Sequence, residues 1–272
     1  MIGYLQYLCQ MTHNIFTNAH RIVSLAAFEY KLGTKGFVLG KLWKLLNPMI
    51  QTGVYWLVFG IGLRSGAPID GVPYVVWLVC GLTPWLVCSH GVSTTANSIY
   101  SKATMLTRSN IPTYLIPISS SLSVLMNSGW NVALLVVIYL GNGCVPTWNA
   151  LGLLYYVVCI FAFISALSLV TSVLVMLARD FSQLIQAIMR MLYFLSPIFW
   201  KPGRELPAAF QWFDRCNPFG YIIRGFRDSL LFDVTFWEDI QGMLIFWGIV
   251  LALYLLGALC QSKLRKNLLD FL

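Results

Sequence analysis

Apolar residues gather in six runs along the chain, at about 48–63, 74–96, 114–141, 151–177, 184–200 and 242–260. A helix crosses a bilayer with roughly 20 mostly apolar residues, so the pattern predicts six transmembrane helices. The first and fifth runs are short, which suits spans that tilt little, thin the bilayer locally or end inside it. Ahead of them, residues 14–31 show a helical stripe in place of a continuous run. Ile15, Ala19, Ile22 and Ala26 recur at helical spacing, with Phe16 and Val23 beside them and His20, Arg21, Glu29 and Lys31 on the remainder. This predicts an amphipathic helix in the interface plane. It would serve either as a plain anchor or as a lever against a cytoplasmic partner.

Between the fifth and sixth runs, residues 201–241 mix charge with Phe210, Trp212, Phe213, Phe219, Tyr221, Ile222, Ile223 and Phe226. Pro202, Pro207 and Pro218 divide the stretch, and Asn217-Pro218 reads as a turn. So apolar a segment predicts short re-entrant helices that dip into the outer leaflet, where backbone must be covered by protein or line a wet cavity. The expected fold is therefore an all-α polytopic membrane protein. A cytoplasmic N-terminal segment (1–47) carries the interface helix, a six-span domain (48–260) includes the re-entrant segment, and a cytoplasmic tail (261–272) follows.

Composition supports the same class. Of 272 residues, 58% are hydrophobic, 15% aromatic and only 10% charged, with mean hydropathy +0.73. Soluble domains hold about 45–50% apolar and about 25% charged residues, so disorder, a collagen-like rod and a disulfide scaffold are excluded. The first 35 residues lack a basic stretch followed by an apolar run and cleavage site, so no secretory signal peptide is expected.

The formal net charge of +8 follows from topology. With both termini cytoplasmic, the inner segments gather Arg21, Lys31, Lys35, Lys41, Lys44, Lys102, Arg108, Arg179, Lys263, Arg265 and Lys266 against Glu29, Asp180 and Asp270. The outer segments, with Arg64, Lys201, Arg204, Arg215, Arg224 and Arg227, are matched by acidic residues. This obeys the positive-inside rule. The expected location is the plasma membrane, with no nucleic-acid partner.

Catalytic patterns are missing. The chain has no His-Glu-x-x-His, Cys-x-x-Cys or Gly-x-Ser-x-Gly, and its three histidines are not spaced for a metal. Among seven scattered cysteines only Cys144 and Cys216 fall outside, so one disulfide or two free thiols are open readings. No Walker A loop occurs, because Gly40-Lys41 is followed by Leu42. No cofactor is expected in this chain, and any ATP and Mg would sit on another subunit.

Three blocks carry a family resemblance. Leu39-Gly40-Lys41-Leu42-Trp43-Lys44-Leu45-Leu46-Asn47-Pro48 opens the first span. Arg179-Asp180-Phe181 leads into the fifth, which ends Ser196-Pro197-Ile198-Phe199-Trp200. Asn217-Pro218-Phe219 then precedes Phe226-Arg227. In this order, over about 30–260, they resemble permease subunits of type-2 ABC exporters in the polysaccharide and teichoic acid branch. The stretch from Asn47 to Arg64 looks most like wall teichoic acid translocation permeases. The resemblance implies two permease copies and two ATP-binding subunits, moving a polymer carried on undecaprenyl diphosphate.

Candidate site residues follow from charge and aromatic placement. Arg190 lies about eleven residues beyond Arg179, roughly 16 Å along a helix, and a charge at that depth costs about 2.5–3.5 kcal/mol on insertion scales. It either faces the transport path and contacts phosphate, or it snorkels and pairs with backbone. Trp43, Tyr55, Trp56, Trp77, Trp85, Tyr193, Phe194, Phe199 and Trp200 offer apolar faces suited to sugar C–H groups, or else face lipid. Lys41 and Lys44 at the inner mouth, and Lys201 and Arg204 outside, are candidates for carrier-lipid or polymer phosphate. Lys102, Arg108, Arg179, Asp180 and Phe181 in the inner loops are candidates for coupling to the ATPase.

The expected function is ATP-driven export of an undecaprenyl-diphosphate-linked anionic polymer, wall teichoic acid. The alternatives are an O-antigen or capsular polysaccharide permease, a type-2 drug or lipid exporter, and a membrane scaffold without transport activity.

Overall fold

A computed structural model describes residues 2–32, 42–63, 67–108, 111–201 and 207–271. Among these there is no β-strand, and twelve α-helices account for most of the chain: α1 (Ile2–Thr17), α2 (Ala19–Leu32), α3 (Trp43–Tyr55), α4 (Tyr74–Ala96), α5 (Ser98–Ser101), α6 (Ala103–Arg108), α7 (Leu115–Gly141), α8 (Gly152–Leu177), α9 (Asp180–Leu195), α10 (Ala208–Cys216), α11 (Pro218–Leu231) and α12 (Ile240–Phe271).

Among the described residues, four segments are long and apolar enough to cross a membrane: Tyr74–Ala96, Leu115–Gly141, Trp148–Leu177 and Ile240–Lys263. They match the second, third, fourth and sixth predicted runs. The first and fifth runs differ in kind. α3 starts at Trp43 and passes into eight residues of wider π-helical winding, Trp56–Leu63. α9 has 16 residues, roughly 24 Å of helix against a hydrocarbon core of about 30 Å. It stops because Ser196, preceding Pro197, is extended at ψ 149°, as a residue before proline prefers.

The predicted N-terminal stripe is divided at Asn18 between α1 and α2. Ile22 and Ala26 are buried, whereas Phe16 and Val23 are exposed. Ile22 joins a cluster with Met11, Tyr114, Leu115, Ile118, Leu169 and Ala258, so the N-terminal helices pack on the main bundle through part of the stripe.

The principal core lies between α4, α8, α9, α11 and α12, around Trp77, Leu78, Trp85, Ile160, Phe163, Phe219, Ile222 and Phe246. The 201–241 stretch does form two short helices, α10 and α11. Asn217 is the N-cap of α11. Its side chain accepts from the Phe219 amide at 3.0 Å, and Pro218 occupies the first helical turn, where its missing N–H leaves no internal bond unmade.

The close approach of α11 to α8 depends on Gly225. A Cβ there would stand 1.9 Å from Tyr156 Cζ, whereas one at Gly53 would meet nothing within 4 Å. Alanine is the better helix former at both sites. Gly225→Ala should nevertheless lower stability by about 1–3 kcal/mol, the usual cost of overpacking, and Gly53→Ala should not. Thermal unfolding of the two purified variants checks this; equal midpoints would contradict it.

Candidate functional site

The two short segments, α3 and α9, approach α4 and enclose a groove of about 430 Å³. Arg190, Tyr193 and Phe194 from α9, Tyr55 from α3 and Trp85 from α4 line it, together with Gln51, Ser89, Ser93 and Gln186. Five of the sequence-selected residues therefore meet in one place. Arg190 and Phe194 are exposed, so this is a surface groove and not a sealed cavity. Arg190 makes no hydrogen bond or ion pair with any described residue. Its charge is available to a ligand.

Further aromatic rings, outside the groove lining, pack behind its aromatic residues, and Phe199 is one of them, buried and not in the groove. Phe199 stacks on Phe59 at 4.3 Å between centroids and meets Tyr55 at 5.3 Å and Tyr193 at 5.1 Å edge-on. Trp85 lies 5.5 Å from Tyr193 and 5.3 Å from Phe219. Such offset and edge-on contacts are favoured geometries and fix ring orientation.

The bend after α9 positions Phe199, and two residues from the following block hold that bend. Asn217 Nδ2 donates to Ser196 Oγ at 3.0 Å. Arg227 donates from Nη1 to the Pro197 carbonyl at 2.5 Å, from Nη2 to the Ile198 carbonyl at 2.8 Å and from Nε to the Trp77 carbonyl at 3.3 Å. The Arg227 guanidinium also lies 3.4 Å from the Trp77 ring centre. The second and third sequence blocks are thus two sides of one joint.

This corrects the treatment of Arg227 as an outer-loop charge: it is 4% exposed, inside apolar surroundings. Its setting in the sequence mixes Ile222, Ile223, Phe226, Leu230 and Leu231 with the charged Arg224 and Asp228. Gly81 belongs with it, because a Cβ there would lie 2.2 Å from Arg227 Nη2.

Other selected residues stand apart from the groove. Trp77 is fully buried beneath Arg227. Trp56 is exposed in the π-helical segment. Trp200 donates its indole N–H to the Phe194 carbonyl at 3.1 Å and contacts Phe210. Lys201 pairs with Asp70, which sits in a tight turn with Gly71 at positive φ, 51° and 81°. Trp43 and Lys44 line a second cavity beside the groove. Lys41 and Arg204 lie outside the described residues, as does the side chain of Arg108. Cys144 and Cys216 are both free thiols.

Two of the inner-loop residues have partners within the chain. Lys102 pairs with Glu29 of α2 and donates to Ser120 Oγ at 2.8 Å, tying the α5–α6 junction to α2 and α7. The Arg179 guanidinium stands 4.4 Å from the Tyr100 ring centre. Asp180 occupies the first turn of α9, where a negative charge suits the helix dipole, and Arg179, Asp180 and Phe181 are exposed together at the α8–α9 turn. A double-mutant cycle of Lys102→Met and Glu29→Gln should show coupling of roughly 1 kcal/mol in thermal stability. Strictly additive effects would contradict that link.

Among the described residues, a wholly helical build with four membrane-length helices and an aromatic groove bearing one unpaired cation is the architecture of a membrane transport subunit. The chain belongs to the ABC-2 type transporter family, whose match covers residues 20–231, and it is the permease of an ABC exporter. Similar proteins include an O-antigen export system permease protein RfbA of Myxococcus xanthus, 25% identical over 71% of this chain and 73% of its own length. Two proteins of the same name from Klebsiella pneumoniae are 24% identical over 94% of this chain and 97% of their length, and 21% identical over 97% and 99%.

Proposed function

We propose that this chain is the permease of a polysaccharide exporter, moving a glycan linked to undecaprenyl diphosphate out of the cytoplasm. The observation that carries this reading is the groove: an aromatic wall suited to sugar C–H faces, with Arg190 placed to meet phosphate. The full-length relatives are named for O-antigen export, which favours a glycan cargo over the wall teichoic acid suggested by the stretch from Asn47 to Arg64. Bilayer crossing by α3 with its π-helical extension and by α9 completes six spans, with both termini cytoplasmic in the plasma membrane.

The machine is two copies of this chain with two ATP-binding subunits. The chain itself lacks a Walker A loop, so ATP and Mg belong to the partner, and motion enters through Arg179, Asp180 and Phe181, with Lys102 passing it to α2. Arg190 lies in the third turn of α9, whose first turn is that same exposed corner. A shift of α9 would therefore move Arg190 and the rings of Tyr193 and Phe194 together. Depleting the chain in its host tests the cargo: carrier-linked neutral glycan should accumulate inside the cell with cell-wall phosphate unchanged. A trapped phosphate-rich polymer with falling wall phosphate would return the teichoic acid reading, and no trapped polymer of either kind would overturn polymer export.

A further inference from the structure

Beside the aromatic groove lies a second cavity, of about 520 Å³, with Gln51 and Leu86 lining both. Its walls come from α2, α3, α4 and α7, and their chemistry differs from that of the groove. Asn47, Gln51 and Asn131 bring carboxamides, His90 and Thr94 add further polar groups, and Trp43 supplies one broad ring. Asn47, Gln51 and Asn131 have no hydrogen-bond partner among the described residues, and all three are exposed or half-buried. Each carboxamide can offer two donors and an acceptor.

The charges in this cavity are already engaged. Lys44 donates to Asn127 Oδ1 and stands 4.3 Å from the Tyr30 ring centre. Glu29 pairs with Lys102 and accepts from Ser119 and Ser120, each at 3.3 Å. Among the described residues one cation and one anion line the space, each held by the protein. A phosphate site wants cations in a converging fork, and none of that kind is present among the described residues.

We infer that this cavity is a subsite for uncharged sugar residues, next to the carrier-facing part of the path. The inference rests on the glycan reading above. Vicinal sugar hydroxyls donate and accept at once, as a carboxamide does, and the Trp43 face suits the C–H side of a pyranose ring. Gln51, shared by the two spaces, is where a sugar would pass from the neutral cavity to the groove at Arg190. In this arrangement Lys44 positions α3 against α7 and does not bind phosphate.

The test uses the full chain with its ATP-binding subunit in lipid nanodiscs, with an uncharged hexose hexasaccharide and inorganic pyrophosphate as probes. Saturation-transfer NMR should show the hexasaccharide bound and not displaced by pyrophosphate. Gln51→Leu with Asn131→Leu should weaken it about tenfold, the loss expected for two hydrogen bonds of ordinary strength, while Gln51→Asn should retain most of the binding. Should the leucine pair fail to assemble, Gln51→Ala at its exposed position carries the same comparison.

No saturation transfer, displacement by pyrophosphate, or wild-type affinity in the variants would overturn the subsite. Glycan export by the wild-type chain, measured in cells in parallel, separates the two failures. Export without binding removes the subsite alone, and absence of export removes the glycan reading with it.

Discussion

Arg227→Met is expected to leave little assembled protein. The arginine donates to three backbone carbonyls at Trp77, Pro197 and Ile198; the Trp77 carbonyl also sits in the ladder of α4, but methionine would leave those of Pro197 and Ile198 in apolar surroundings without this donor. Each unsatisfied buried group costs about 1–3 kcal/mol, so for two carbonyls a combined loss of about 2 kcal/mol is a conservative figure. Domains have only about 5–15 kcal/mol of stability in total. Arg227→Lys should recover only part, because an ammonium lacks the planar fork that reaches several carbonyls at once. Gly81→Ala should resemble it, since the added methyl takes the space of the guanidinium. Detergent-extracted yield and thermal midpoint are the readouts. A methionine variant with the wild-type midpoint would contradict the joint between the α9 bend and α11.

The second large effect concerns transport and not folding. Arg190 is exposed in the groove and makes no internal bond among the described residues, so Arg190→Ala should fold and insert normally. Export should nevertheless fall at least roughly tenfold, the loss of one charge-assisted hydrogen bond of about 1.5–3 kcal/mol. Arg190→Lys keeps the charge and should retain more export than alanine does. Equal losses in both variants, with normal protein levels, would assign Arg190 a packing role and remove phosphate attraction from the account.

The groove was legible in the sequence to a useful degree. A charge deep in an apolar run is a conflict that only a wet surface or a partner resolves, and aromatic residues one turn further share its helix face. Hence Arg190, Tyr193 and Phe194 could be grouped from spacing alone. Tyr55 and Trp85 come from other helices, and nothing in the linear pattern separates them from Trp56 or Trp77, which have the same composition around them but point elsewhere.

Arg227 was hidden by its setting. Counted with its charged neighbours Arg224 and Asp228 it looks like a loop residue, and only the fold shows that it reaches inward to carbonyls of a bend thirty residues away. The π-helical winding after Tyr55 carries no local signature either, beyond Gly60 and Gly62. The positive-inside pattern assigned Lys102 to an inner loop, but its pairing with Glu29, 73 positions earlier, is a tertiary fact.

The claim at the centre of this account is that a glycan passes along the groove at Arg190. Proteoliposomes holding this chain and its ATP-binding subunit, loaded outside with carrier-linked glycan, test it directly. A single cysteine placed at Ser93 in a cysteine-free background is coupled to a bulky maleimide before ATP is added. ATP-dependent delivery of glycan to the lumen should occur with the unlabelled protein and stop with the labelled one. Undiminished delivery with the groove filled would contradict the path proposed here.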